Sequence, residues 1–127
     1  MSETFGLRAI GQILVPVADV DRAITFYRDQ LGMRFLFQYP GMGFFDLDGV
    51  RLYLGVPEAG LSLGPVTIYY RVDDLDGAVA ALESRGVAFD HGSHLIHRSE
   101  ASELWMASLH DPDGNPVVLM SDRPKSG

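Results

Sequence analysis

The sequence predicts an α+β fold made of two copies of one strand–helix–strand–strand–strand unit. Three observations predict it. The turn and run Asp111-Pro-Asp-Gly-Asn-Pro116, Val117-Val118-Leu119-Met120 has an upstream echo in Asp46-Leu-Asp-Gly-Val-Arg-Leu-Tyr-Leu54, 65 positions earlier. Val17-Ala-Asp-Val-Asp-Arg-Ala23 returns as Val72-Asp-Asp-Leu-Asp-Gly-Ala78, 55 positions later, and both echoes run in the same order. Asp-Gly and Pro beside Asp make tight turns, because Gly reaches positive φ and Asp bonds its own backbone. A short apolar run after such a turn reads as a buried strand.

The elements follow in order. Residues 1–8 are a lead-in with little to tie it down. The first unit covers 9–56. Ala9 to Val17 reads as a strand with two faces, Ile13, Val15 and Val17 alternating with Gln12, Leu14 and Pro16. Asp19 is placed to cap a helix from Val20 to Gln30, whose apolar stripe is Ala23, Ile24, Tyr27 and Leu31 and whose C-cap glycine is Gly32. Strands follow at Met33–Tyr39, Phe44–Leu47 and Val50–Val56, joined by Pro40-Gly-Met-Gly43 and by the hairpin turn Asp48-Gly49. Residues 57–65, rich in Gly, Pro and Ser, read as a linker. The second unit covers 66–121: a strand at Val66–Val72, a helix at Leu75–Arg85 capped by Asp74 and ended by Gly86, and a short strand at Val87–Asp90. His91–Ser102 reads as a polar loop, Glu103–Leu109 and Pro116–Met120 as the last strands, and 122–127 as a polar tail.

The 127 residues suit one domain or two fused half-domains, long enough to bury about two-thirds of the unfolded surface. No apolar run approaches the roughly 18 residues of a membrane span. The first residues lack a basic region followed by an apolar core, so no secretory signal and a cytoplasmic location are expected. The chain has no cysteine, which removes thiol chemistry and Cys-ligated metals. A net charge of −7 argues against a nucleic-acid partner. There is no Gly-rich phosphate loop and no nucleophile-elbow serine.

The doubled unit, with Phe26-Tyr27-Arg28-Asp29 and Leu31-Gly32 in the first helix and Asp111-Pro-Asp-Gly-Asn115 before the last strand, resembles the glyoxalase / bleomycin-resistance / extradiol dioxygenase group, the vicinal oxygen chelate superfamily. The resemblance covers about residues 9–121. It implies two βαβββ modules that curl a mixed sheet into a cup. It does not choose a reaction, since the group includes isomerases, epimerases, dioxygenases, thiol transferases and non-catalytic drug-binding proteins. It also implies a homodimer, because small relatives with one pair of modules often complete their cups across a two-fold interface.

Active members commonly line the cup with a divalent metal, held seven residues before each helix-capping Asp and four residues after each turn Gly. Those places fall here on Gln12, Thr67, Tyr53 and Val118. Such sites want imidazole and carboxylate. Gln12 offers a carbonyl oxygen, Thr67 and Tyr53 are poor neutral ligands, and Val118 is none. The expectation is therefore no metal site and no cofactor.

His91, His94 and His97 are spaced by three, with His110 beyond. Two readings stay open: exposed loop histidines, or a contact in which His94 or His97 leans over the cup mouth as ligand contact or general base. By alternation Gln12, Leu14, Arg51, Tyr53, Thr67, Tyr69, Arg71, Val118 and Met120 face the cup, with Ile13, Leu52, Ile68, Val117 and Leu119 under the helices; a one-residue slip would invert this. Phe35, Phe37, Phe45 and Trp105 offer stacking surface or simply core. Arg51 or Arg71 would anchor an anion if it faced inward, although a surface salt bridge is the commoner role. The sequence thus points to a metal-free binder of an apolar or aromatic small molecule, with ligand-binding residues Gln12, Tyr53, Thr67, Tyr69, Trp105 and Val118. The alternative is a lyase, isomerase or dioxygenase with a displaced or absent metal, using His94 or His97.

Overall fold

The computed structural model describes residues 5–57 and 64–124; part of the expected linker, the first four residues and the end of the expected tail lie outside them. The first strand, β1, is Gln12–Pro16. Asp19 leaves it in an extended conformation and its carboxylate accepts from Arg22 N at 3.1 Å, which satisfies an orphan donor at the start of α1, Val20–Thr25. The helix continues to Gln30, as the sequence predicts, but Phe26–Gln30 is π-helical, with Leu31 N donating to Phe26 O at 3.0 Å. That wider turn lets the sequence neighbours Phe26 and Tyr27 both enter the core. Gly32, at φ +75°, ends it.

Three strands follow: β2, Arg34–Tyr39; β3, Met42–Leu47; and β4, Val50–Gly55. Asp48 and Gly49 both take positive φ, 50° and 97°, the requirement of the two-residue turn that matches strand twist. The turn fixes the register Leu47↔Val50 and with it Phe44↔Tyr53. The sheet order is β1-β4-β3-β2, with β1 parallel to β4.

The second half repeats this plan. β5 is Ile68–Arg71, α2 is Leu75–Ser84 with the Asp74 carboxylate accepting from Gly77 N, β6 is His91–Arg98, β7 is Ser102–His110 and β8 is Pro116–Pro124. The order β5-β8-β7-β6 again sets the first strand parallel to the last. The molecule is thus a mixed α+β fold with two four-stranded mixed sheets.

Three expectations are corrected. His91–Arg98 is a strand, not a loop, and Val87–Asp90 is not a strand. The polar composition of 91–98 is that of an edge strand, which needs only one ladder partner and tolerates water on the other side. Asp122–Pro124, expected as tail, belong to β8, which runs past Met120 because the nine-residue β7 offers it partners as far as Ser102.

Val15, Ala23, Tyr27, Phe45, Leu52 and Leu54 from the first half share one buried cluster with Leu75, Leu82, Ala107, Leu109 and Val117 from the second. Polar bonds join the halves around the 111–115 turn. Asp111 is buried and accepts four bonds, from the backbone N–H groups of Asp113 and Asn115, from Tyr27 Oη and from Asn115 Nδ2, each at 2.8 Å. Asn115 also donates to Pro16 O, and Asp113 accepts from Ala18 N and Arg22. Burial and the adjacent Asp111 carboxylate push the Tyr27 phenol far above its ordinary range, so it stays the donor.

Candidate functional site

Strand alternation gives each sheet a helix-side face and an open face. On β4, Leu52 and Leu54 are fully buried on the helix side, so Arg51 and Tyr53 project from the open face. Register then assigns their neighbours. Gln12 lies opposite Arg51, Leu14 opposite Tyr53, and Phe44 opposite Tyr53 on the other flank. A register shift between Phe35 and Phe37 adds one residue to β2. It leaves Phe35 against Phe45 on the helix side and turns Phe37 to the open face beside Phe44.

The result is an aromatic platform. Phe44 and Tyr53 stack at 5.0 Å with an interplanar angle of 11°. Phe37 lies 4.8 Å from Phe44, and Tyr39 borders both. Gly55 makes room for it, since a Cβ there would meet the Tyr53 ring at 2.8 Å. The platform's outer parts are uncovered: Tyr39 is 58 % exposed, Phe37 36 % and Met42 38 %.

On the second sheet Tyr69 pairs with Val118 and Arg71 with Met120, placing all four on one face as alternation predicts. Tyr69 is 55 % exposed and Val118 is buried. Thr67 precedes β5 and is exposed. The predicted site residues therefore fall into two groups, Gln12 with Tyr53 on one sheet and Tyr69 with Val118 on the other, and among the described residues no strand pairing joins the sheets.

Trp105 is not on the open face. It pairs with the buried Ser121 and alternates with the fully buried Ala107 and Leu109, so it packs on the helix side against the core. Its indole N–H donates to Glu103 Oε1 at 3.1 Å and the Arg123 guanidinium lies 4.4 Å over its ring. The indole N–H, then Arg98, which donates to Glu103 at 2.7 Å, hold the Glu103 carboxyl below its usual range. Phe45, fully buried, and Phe35 are likewise core rather than stacking surface.

Two register shifts shape β6. On a regular strand, residues three apart face opposite sides. The extra residues between His91 and His94 and between Leu95 and His97 cancel that, so His91, His94 and His97 oppose Ser108, Met106 and Leu104. All three point to the open face of the second sheet. The His91 and His94 rings are 6.2 Å apart, and His94 Nδ1 bonds Gly92 O. His110, which the sequence reading did not single out, is the histidine with a carboxylate partner, Nδ1 bonding Asp90 Oδ2.

The residues present do not fit the divalent metal that many such folds carry. The four equivalent places hold an amide, a phenol, a hydroxyl and an isopropyl group, and among the described residues no three His, Asp or Glu side chains gather as a metal cluster. A separate apolar crevice of about 280 Å³ lies where Leu31, Met33 and Leu47 meet Tyr70, Val72 and Leu82. It sits on the helix side, where only Arg85 brings a charge.

Residues 9–119 match the family model of the glyoxalase/bleomycin resistance protein/dioxygenase superfamily, and the chain belongs to that superfamily. It is 30% identical over 128 residues to a catechol-2,3-dioxygenase of Bacillus subtilis (strain 168), a match covering 92% of this chain but only 42% of that protein. The chain thus spans less than half the length of that relative. Among solved structures it is similar to TnmS3, an antibiotic binding protein from Streptomyces sp. CB03234, with a TM-score of 0.72, 26% identity, and coverage of 96% of this chain and 100% of that one. A lactoylglutathione lyase from Agrobacterium tumefaciens shares the fold, with a TM-score of 0.72 at 22% identity over 91% of this chain and 95% of that one. No helix among the described residues is long and apolar enough to cross a membrane.

Proposed function

We propose that this protein binds a planar, apolar or aromatic small molecule on the open face of its first sheet and uses no metal at the four equivalent places. The observation that carries the reading is the Phe37–Phe44–Tyr53 stack on the open face, whose central ring, Phe44, is buried by its neighbours and whose edge, Phe37, is uncovered. Monomeric proteins seldom leave such surface uncovered without a use for it. Gln12 supplies an amide beside the platform, while Tyr69 and Val118 belong to the second sheet and Thr67 precedes it. The likeness to an antibiotic binding protein over its whole length supports a binding role.

Leu14, Tyr39, Met42 and Tyr69 are exposed in the single chain, and a second copy covering them makes a homodimer with cups at its interface. The test is a thermal-shift screen of planar aromatic compounds, followed by calorimetry on Phe44→Ala and Tyr53→Ala. Hits that bind both variants as well as wild type would remove the site.

A second reading, an enzyme of the same superfamily, is favoured by the likeness to catechol-2,3-dioxygenase and by the histidines that the bulged strand brings to one face. His94 or His97 would be the base. Turnover of any substrate that disappears in the His94→Ala/His97→Ala double mutant would establish it.

A further inference from the structure

We infer that Arg51 makes the first sheet's platform selective for planar aromatic ligands carrying an anionic oxygen group, such as a ring carboxylate. The inference rests on the platform being a ligand surface and adds the ligand's charge. The chain carries 17 carboxylate residues against 10 cationic ones, and six of its nine described arginines are paired with a carboxylate. Among the described arginines, Arg22, Arg28, Arg34, Arg71, Arg98 and Arg123 each have a carboxylate within 4.0 Å, Arg85 donates to Gln30 O, and Arg8 and Arg51 have neither. Arg51 makes no ion pair and no side-chain hydrogen bond with any described residue.

Its cross-strand neighbour Asp46 is occupied elsewhere: Oδ1 accepts from Gly49 N at 3.1 Å and Oδ2 faces Arg34. The Arg51 guanidinium instead lies 5.5 Å over the Phe37 ring and 5.4 Å over Phe44. A cation on an aromatic face is held in place by the ring quadrupole, which reduces the ordering that binding would otherwise require. Its N–H donors have no acceptor among the described residues, and a guanidinium edge fits a carboxylate bidentately. A ligand whose ring packs on Phe37 would bring an in-plane oxyanion to that guanidinium, with Gln12 its neighbour on the next strand. The other open-face arginines have carboxylates, Arg34 facing Asp46 at 4.0 Å and Arg71 bonded to Asp122 at 3.0 Å.

The experiment is calorimetry with three matched probes, anthracene-2-carboxylate, 2-hydroxymethylanthracene and 2-aminomethylanthracene, against wild type, Arg51→Met and Tyr53→Ala. Met keeps an apolar stem on the rings and removes the charge and the donors. The expected result is about tenfold tighter binding of the carboxylate than of the alcohol by wild type, weakening with added salt. Arg51→Met should weaken the carboxylate far more than the alcohol, bringing the two affinities together, and Tyr53→Ala should weaken both by the same factor. Equal affinities for wild type, or a preference that survives Arg51→Met, would overturn the inference while leaving the platform in place. Binding of no probe, or binding indifferent to Tyr53→Ala, would remove the platform and the inference together.

Discussion

The Tyr27 hydroxyl donates to Asp111 Oδ2 at 2.8 Å, across 84 positions of sequence and inside the core. This bond ties the π-helical turn of the first half to the turn that precedes the last strand of the second. Tyr27→Phe leaves Asp111 buried with one donor fewer and should lower unfolding free energy by about 1–3 kcal/mol. Denaturant unfolding at neutral pH measures it. The phenol's raised pKa also gives a sign to alkaline pH. The folded protein favours the neutral phenol, so its stabilisation is full below the unfolded value near 10 and falls as pH rises past it. Tyr27→Phe should flatten that alkaline fall.

Gly43 and Gly55 separate stability from binding. A Cβ at Gly43 would meet Ile24 at 2.9 Å, where α1 packs on β3, so Gly43→Ala should cost about 1–3 kcal/mol of stability by overpacking. Gly55→Ala presses instead on the Tyr53 ring at the open face. It should change the melting temperature less and weaken aromatic ligands by about tenfold through the displaced stack. Paired melting and calorimetry on the two variants check the contrast.

Glu103 should make the second sheet sensitive to acid. Its carboxyl is held below the usual range by the Trp105 indole N–H and by Arg98. A depressed folded pKa stabilises above the unfolded value, about 4.3, and that contribution is lost as pH falls through the folded one. Glu103→Gln should therefore melt below wild type at neutral pH, with the difference shrinking as pH falls below the unfolded value, as followed by circular dichroism.

The proposed dimer predicts a mass of twice the chain by light scattering at micromolar concentration. Tyr39→Asp/Tyr69→Asp, which places charges on two exposed open-face positions, should shift that mass toward the single chain without unfolding it. A single-chain mass for wild type would remove the dimer.

Much of this architecture was legible in the residues. The Asp19 and Asp74 caps, the Asp48-Gly49 turn and alternation along β1 and β4 place Gln12, Arg51 and Tyr53 on one face, because turn chemistry and burial are local signals. The pairing of Phe44 with Tyr53 also follows from that two-residue turn, and counting outward from it would have found the platform's centre. The bulges were not legible. An inserted residue in β2 decides that Phe37 faces out while Phe35 faces in, and two more in β6 align three histidines, yet none has a compositional mark. Trp105 was misplaced because its partners, Glu103, Ser121 and Arg123, are fixed only by the β7–β8 ladder. The Tyr27–Asp111 bond depends on the packing of two halves that the sequence alone does not orient.

The measurement that bears most directly on a metal-free binding role is the metal content of untagged protein by mass spectrometry, with a thermal-shift titration of Zn, Ni, Co, Mn and Fe(II). An amide, a phenol, a hydroxyl and an isopropyl group at the four equivalent places predict far less than stoichiometric metal and no ion-specific shift. One tightly held ion per chain, or a large shift with one of these ions alone, would contradict that role and point to His91, His94 and His97 as ligands of an enzyme.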